Sequence, residues 1–196
     1  MYRQNCVSEI NFVTGNVHKL KEVESILQPY GIKVNMIKVR KIEVQADELS
    51  TIAEYAAISA AKEAGVPVVV EDAGLFIEAL RGFPGPYSSY VFKTIGNKGI
   101  IKLMSGVTDR RARFISVVAF AKPEGYVKIF VGVTEGLISI EPRGNMGFGF
   151  DPIFIPYEGD GRSFAEMSLD EKNKISHRGK AFRSLAKWLT GHKVVP

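Results

Sequence analysis

The feature that most constrains the fold is a short apolar run, "PVVVED" (67–72), which ends in two adjacent acids. Its hydrophobicity is continuous rather than alternating, which is typical of a strand buried on both faces in the middle of an α/β sheet. We therefore expect a buried strand that ends on Glu71 and Asp72. Ligands bind outside the carboxyl ends of such strands, so the acid pair marks a candidate site.

The segments before this run alternate between strand and helix patterns. "EINFVT" (9–14) and "IKVNMIKV" (32–39) predict strands, and helices are expected over 17–28 and 48–64. The order strand, helix, strand, helix, strand is the signature of an α/β architecture.

The second half of the chain has a different pattern. "RARFISVVAFAK" and "VKIFVGVTEGLISI" are β-rich and separated by "PEGY", which predicts an antiparallel hairpin. In the tail, Ser168 and Glu171 fit a capping box, and Ser176 can cap a last helix. The two serines of "GFPGPYSSYV" could cap another helix. We expect one α/β domain over residues 1–196, with an elongated mixed β-sheet, flanking helices and two lobes around a central cleft.

Composition narrows the class of protein. The chain of 196 residues has a single cysteine, which excludes an intramolecular disulfide and a cysteine-based zinc site. No apolar run approaches the ~20 residues that span a bilayer, and the N-terminus has no secretory pattern. We expect a cytoplasmic protein with no membrane partner. The formal charge of +5 suits an anionic partner, although an ordinary basic surface explains it equally well. No block of like charges indicates a nucleic-acid tail.

The stretch "TGNVHKLKE" (14–22) falls at a strand-to-helix turn. Gly15 lets a ligand approach the backbone, and the N–H groups at a helix N-terminus attract anions. Lys19 is a cation in the first helical turn, where the helix dipole disfavours it, which suggests an anion beside it. The alternative is a plain capped turn with a solvated lysine. The stretch is not a P-loop.

Of the two acids, Asp72 is the better candidate to face a cleft, because it precedes the small residues Ala73 and Gly74. Its carboxylate could hold Mg²⁺, which prefers oxygen ligands, or orient a water. Alternatively, Asp72 only caps a helix that begins at "AGLFIEAL".

The stretch "GFGFDP" (147–152) places glycines between aromatic rings. Phe148 or Phe150 could stack on a nucleobase, and Asp151 could accept hydrogen bonds from ring N–H groups. The alternative is a tight turn with core phenylalanines. His177 and Arg178, at the start of the last predicted helix, could donate to carbonyl or phosphate oxygens, although such a pair is often only surface.

Taken in order, these motifs resemble the inosine triphosphate pyrophosphatase family. The family pattern T-G-N-x-x-K-x-x-E is matched from Thr14 to Glu22, and its acidic-Asp-Ser-Gly-Leu segment by "EDAGL". The patterns G-x-P-G-x-Y-S, G-[FY]-G-[YFW]-D-P-[IV]-F and S-H-R are matched by "GFPGPYS", "GFGFDPIF" and "SHR". The resemblance covers nearly the whole chain.

The resemblance implies an enzyme that hydrolyses ITP, dITP and XTP to the monophosphate and pyrophosphate with Mg²⁺, and that is commonly a homodimer. It implies Glu43 and Asp72 as metal ligands and a catalytic role for Asp72, whose part as base or as water-positioning group stays open. The implied substrate-binding residues are Thr14, Gly15, Asn16, Val17, His18, Lys19, Ala73, Phe148, Gly149, Phe150, Asp151, Lys172, His177 and Arg178.

Two positions depart from the family pattern. Ala73 stands where Ser is usual, and Phe150 replaces the commoner Tyr or Trp. Three other functions compete with the enzyme: a non-catalytic nucleotide-binding module, a pyrophosphatase for other nucleotides, and a nucleic-acid-binding protein. The presence of two acids, Glu43 and Asp72, disfavours a non-catalytic binding module. The sequence has no strand with interleaved aromatic and basic residues that would support a nucleic-acid-binding protein.

Overall fold

The computed structural model describes residues 8–42 and 44–191. The strands are β1 (Glu9–Val13), β2 (Lys33–Ile37), β3 (Val68–Ile77), β4 (Pro84–Gly85), β5 (Arg111–Ala121), β6 (Val127–Ile138) and β7 (Phe154–Pro156). The helices are α1 (Val17–Leu27), α2 (Leu49–Ala64), α3 (Ser88–Thr94), α4 (Gly96–Leu103), α5 (Leu169–Ile175) and α6 (His177–Thr190). None of the helices in this described part has the length and apolar character to span a membrane.

All seven strands form one mixed sheet in the order β2-β1-β3-β5-β6-β7, with β4 paired to β3. β2, β1 and β3 are parallel, whereas β3, β5, β6 and β7 pair antiparallel. The predicted mixed α/β sheet and the predicted β5–β6 hairpin are therefore confirmed. The hairpin turn is closed by Lys122 N, which donates to Tyr126 O at 2.9 Å.

Apolar clusters cover both faces of the parallel half of the sheet. α1 and α6 pack on one face, where Phe12 and Phe182 meet edge to face. The alanines of α2, such as Ala57, pack on the other face. A third cluster around Phe114 and Phe154 lies towards the other end of β3 and β5. Burial on both faces explains why the run of β3 is continuously apolar.

β3 does not end at the acid pair. It continues to Ile77, and in its antiparallel pairing with β5, Glu71 lies opposite Val118 and Asp72 opposite Val117. The prediction of a strand end at Asp72 is therefore wrong, and so is the alternative that Asp72 caps a helix. Backbone pairing with β5 keeps β3 in the strand conformation through the small residues that follow the acid pair. Since neighbouring strand residues point to opposite faces, Glu71 and Asp72 diverge.

The predicted caps of the last two helices are confirmed. Ser168 and Glu171 form a capping box at α5, and Ser176 Oγ accepts from Gly179 N at 3.0 Å at the start of α6. Ser88 does not cap α3. Its hydroxyl donates to Gly85 O at 2.7 Å and accepts from Leu75 N at 2.8 Å, which ties the start of α3 to β3.

α6 lies close to β6 because Gly132 has no side chain. A Cβ at this position would collide with the backbone of His177 and Ala181. The glycine thus allows the N-terminal turn of α6 to approach the sheet, where Arg178 pairs with Glu71 of β3.

Candidate active site

The turn after β1 lies beside the acid pair of β3. The two strands are parallel with Phe12 opposite Val69, so Thr14 reaches the level of Glu71. Asn16 caps α1, since its Oδ1 accepts from His18 N at 2.9 Å and from Lys19 N at 3.2 Å. Gly15 is exposed, with open space where a Cβ would stand. The turn therefore presents backbone that a ligand can approach closely.

Lys19 reaches from α1 to the acid pair. Its Nζ lies 2.6 Å from Glu71 Oε2 and 3.4 Å from Glu71 O. The anion that the sequence predicts beside Lys19 is therefore the Glu71 carboxylate of the protein itself. The Glu71 carboxylate offsets the unfavourable interaction between Lys19 and the helix dipole.

Six charged side chains, which we call the charge chain, continue from Lys19 into the interior with alternating sign. They are Lys19, Glu71, Arg178, Glu22, Lys172 and Asp151. Arg178 bridges two acids, with Nη2 at 3.0 Å from Glu71 Oε1 and Nη1 at 2.6 Å from Glu22 Oε2. Lys172 Nζ donates to Glu22 Oε1 at 2.7 Å and to Asp151 Oδ2 at 2.5 Å. The formal charges of these six side chains sum to zero.

Burial makes these interactions strong. Burial acts to raise the pKa of Glu71, but the charges of Arg178 and Lys19 outweigh it and hold that pKa well below its usual range. In the same way, burial is outweighed at Glu22 by Arg178 and Lys172, so its pKa is also lowered. Ser116 Oγ donates to Glu71 Oε1 at 2.8 Å. Both acids are therefore ionised in the folded protein at neutral pH.

Asp72 lies on the other face of β3 and differs in its surroundings. It is half-buried, its Oδ1 accepts from Ala73 N at 3.0 Å, and within the described residues it forms no ion pair. Burial raises the pKa of Asp72, Lys19 opposes this and Glu71 adds to it. Its charge is thus poorly compensated by the protein, as expected of a carboxylate that meets a cation from outside.

The residues present fit a magnesium ion held partly by substrate. Within residues 8–42 and 44–191, no group of three or more His, Cys, Asp or Glu side chains is arranged to hold a metal. Mg²⁺ usually takes one or two carboxylates and completes its shell with water and substrate phosphates. Asp72 is a carboxylate that could supply one such ligand. Glu43, the other predicted ligand, lies outside the described residues.

The two phenylalanines of the loop 147–151 have different environments. Phe148 is half-buried and stacks on His18, with ring centroids 5.4 Å apart and an angle of 23°. The cations of Lys172 and Arg178 lie 5.0 Å and 5.4 Å from the centre of its ring. Phe150 is buried and meets Phe92 edge to face. Of the two rings Phe148 is therefore the less buried, and His18 stacks on one of its faces.

Asp151 links this loop to the charge chain. Its Oδ2 accepts from Phe148 N at 2.7 Å and from Lys172 Nζ at 2.5 Å. Gly147 and Gly149 adopt left-handed φ values of 70° and 64°, which glycine tolerates best. The loop is thus a tight turn whose carboxylate faces inwards.

His177 is buried at the start of α6. Its ring stacks on Phe114 with centroids 4.5 Å apart and an angle of 9°, and its Nδ1 has no hydrogen-bond partner among the described residues. Burial, with the charge of Arg178 adding to it, lowers the pKa of His177 well below its ordinary value. The imidazole is therefore neutral in the folded protein.

This lowered pKa predicts a pH-dependent stability. Below pH 6.5 the unfolded chain protonates His177 whereas the folded chain does not, so stability is lost as pH falls. We expect His177 to lower the free energy of unfolding by about 1.4 kcal/mol between pH 7.5 and pH 5.5. Urea unfolding at these pH values should show a flatter profile for His177→Gln. Parallel profiles for the two proteins would contradict the assignment.

The structure brings most of the predicted site residues into one region. The turn 14–19, the loop 148–151 and the start of α6 contribute Lys19, Asp151 and Arg178 to the charge chain, and Lys172 of α5 joins them. Asp72 follows Glu71 on β3 but lies on the opposite face of the strand. The sequence interpretation noted Glu22 as part of the motif 14–22 and Glu71 as one of the acid pair, but it gave neither an ion-pair partner. The burial of Glu22 could have been inferred because it stands four residues before Ile26, on the buried face of α1.

Comparison with known proteins identifies relatives along nearly the whole chain. The model of the Ham1 family matches residues 10–188. The dITP/XTP pyrophosphatase of Hyperthermus butylicus is 54% identical over 180 residues, which cover 92% of this chain and 94% of the relative. The protein of the same name from Methanopyrus kandleri is 53% identical over 180 residues, covering 92% and 95% of the two chains.

Solved structures show the same fold. A HAM1 protein from Coxiella burnetii superposes with a TM-score of 0.83 at 35% identity and covers 93% of this chain and 98% of that chain. The Ham1 protein of Staphylococcus aureus gives a TM-score of 0.80 at 29% identity, covering 94% and 100%. These similarities confirm the resemblance inferred from the ordered motifs: the chain belongs to the Ham1 family.

Proposed function

We propose that this protein hydrolyses the deaminated purine nucleotides dITP, ITP and XTP to the nucleoside monophosphate and pyrophosphate. The names of its relatives support this activity. The structural observation that carries it is the position of Asp72, a carboxylate without an ion pair in the described part of the chain, directly after Glu71, which pairs with Lys19 of the turn 14–19. This arrangement suits a triphosphate with its cation.

In the proposed reaction, water adds to a phosphorus atom and the phosphoanhydride bond between the α and β phosphates breaks. The backbone of Gly15 to Val17 and the Lys19 ammonium bind the phosphates. Asp72 and Glu43 would hold Mg²⁺, which neutralises phosphate charge and lowers the pKa of a bound water. Asp72 orients the attacking water, and its raised pKa also suits it to receive a proton.

The base and ribose are proposed to lie between the loop 148–151 and the start of α6. Phe148 offers the face of a ring, and base stacking on an aromatic side chain contributes roughly 1–3 kcal/mol. Lys172, His177 and Arg178 surround it, although Lys172 and Arg178 are engaged with acids of the charge chain. Their ion pairs fix the direction of the donors that a 6-oxo purine would meet.

The test is release of pyrophosphate from a nucleotide panel. With Mg²⁺, we expect dITP, ITP and XTP to be hydrolysed with kcat/KM at least ~10²-fold above that for ATP, GTP and dUTP. A chelator should abolish the reaction and added Mg²⁺ should restore it. Tight binding of dITP without pyrophosphate release would instead show a binding module, and equal turnover of all triphosphates would show a general pyrophosphatase.

We further propose that the protein acts in the cytoplasm as a homodimer, as the family resemblance implies. On one face of β6 three exposed side chains are apolar, with the exposed Glu135 between them: Val131 is 53% exposed, and Val133 and Leu137 are each 36% exposed. Such a stripe suits contact with a second copy.

Sedimentation velocity should therefore show a dimer at micromolar concentration. We expect Val131→Asp to convert it to a folded monomer, because an unpaired charge is costly inside an apolar interface. Ser184→Ala, an exposed change on α6, is the control. A monomeric wild-type protein would contradict the proposal.

A further inference from the structure

The loop 147–151 is connected to the α3–α4 segment by one polar contact. Asn97 of α4 donates from Nδ2 to Gly149 O at 3.1 Å. A second, apolar contact joins Phe92 of α3 to Phe150. Asn97 belongs to none of the motifs that carry the family resemblance.

The contact acts on the peptide that follows Gly149 in the loop. Phe148 N is held by Asp151, and the N–H groups of Asp151 and Ile153 donate to Phe148 O and Phe150 O. Gly149 O has Asn97 as its partner among the described residues. Gly149 has a left-handed φ and open space where a Cβ would stand, so no side-chain packing at this residue restrains the peptide.

The oxygen of the Asn97 side-chain amide indicates that the main contribution of Asn97 is not to the stability of the fold. Asn97 Oδ1 is buried without a hydrogen-bond partner in the described part of the chain. The orientation of the amide is determined, because a carbonyl oxygen accepts only and Nδ2 must face Gly149. An unsatisfied buried acceptor is unfavourable, so the cost of burying Oδ1 offsets the stabilisation from the Nδ2 hydrogen bond.

We propose that Asn97 is a positioning residue for nucleobase binding, acting through the Gly149 carbonyl on the ring of Phe148. Rotation of the Gly149 peptide would move Phe148 away from His18 and from the cations of Lys172 and Arg178. Asn97 therefore sets the geometry of the ring that a purine stacks on, without contacting the purine itself. The inference rests on the proposed function, since it concerns the same site.

The test compares Asn97→Leu with the wild-type enzyme. Leu has a similar size and cannot donate, so we expect KM for dITP to rise about tenfold while kcat changes less than about threefold, as for loss of uniform binding. The inhibition constant of inorganic tripolyphosphate, which has no base, should not change. The melting temperature should stay within about 2 °C, because the unsatisfied oxygen is removed together with the donor.

Two further variants separate positioning from structure. Asn97→Asp keeps the shape but directs a carboxylate at the Gly149 carbonyl, so its KM should rise at least as much. Thr94→Val removes a hydrogen bond to Tyr90 O within α3, which does not reach the loop, and should leave KM unchanged. Unchanged KM in both Asn97 variants, or a fall in melting temperature that parallels the loss of activity, would overturn the inference. A wild-type protein that releases no pyrophosphate from dITP would instead refute the proposed function.

Discussion

Replacing Asp72 with Asn is expected to lower kcat for dITP by at least ~10²-fold, the usual effect of losing a catalytic group. Asn keeps the shape and can still accept from Ala73 N, but it has no charge for Mg²⁺ and no proton-accepting oxygen. The stability of the folded protein should not decrease. Since burial raises the pKa of Asp72, its negative charge is unfavourable in the folded protein, and a neutral amide removes that cost.

The measurement is initial-rate pyrophosphate release at saturating dITP and Mg²⁺, with thermal unfolding recorded on the same samples. Asp109→Asn is the matched control, because Asp109 is exposed, pairs with Arg111 and precedes β5 at the end remote from Asp72. We expect the control to retain wild-type kcat. An Asp72→Asn enzyme with more than about a tenth of wild-type kcat would exclude the proposed role.

Replacing Glu22 with Gln is expected to lower the free energy of unfolding by about 3–5 kcal/mol, as for removal of one partner from a buried ion pair. Glu22 is the shared partner of Lys172 and Arg178, which are both 2% exposed. When the charge of Glu22 is removed, Arg178 still pairs with Glu71 and Lys172 still pairs with Asp151. The charge chain then carries one uncompensated buried positive charge. The amide has the same size, so the loss measures charge rather than packing.

Glu24→Gln is the control for this prediction. Glu24 lies on the same helix but is exposed, so its replacement should change the free energy of unfolding by less than about 0.5 kcal/mol. Adding Lys172→Met to Glu22→Gln removes the unpaired cation. The double variant should therefore be more stable than the sum of the single changes predicts. A loss below about 1 kcal/mol for Glu22→Gln would contradict the importance of the charge chain.

Local patterns were sufficient for several elements of this fold. The capping box at Ser168, the cap at Ser176 and the hairpin turn 122–126 depend on residues within a few positions of each other, and all were predicted. The end of β3 was not predicted, because it depends on β5. Asp72 and its partner Val117 belong to different parts of the chain, and nothing in the stretch 67–77 by itself indicates that a second strand extends it.

The sequence by itself determined the family, the mixed α/β sheet and the turns that carry the candidate ligands, because ordered motifs and hydrophobic periodicity are local properties. Only the tertiary structure decided which charges meet. Arg178 and Glu71 are separated by 107 positions, and Lys172 and Glu22 by 150. Their pairing follows from the packing of α1 and α6 against one face of the sheet, with Gly132 allowing the close approach. The same packing left Asp72 on the opposite face, because successive residues of a strand point to opposite sides.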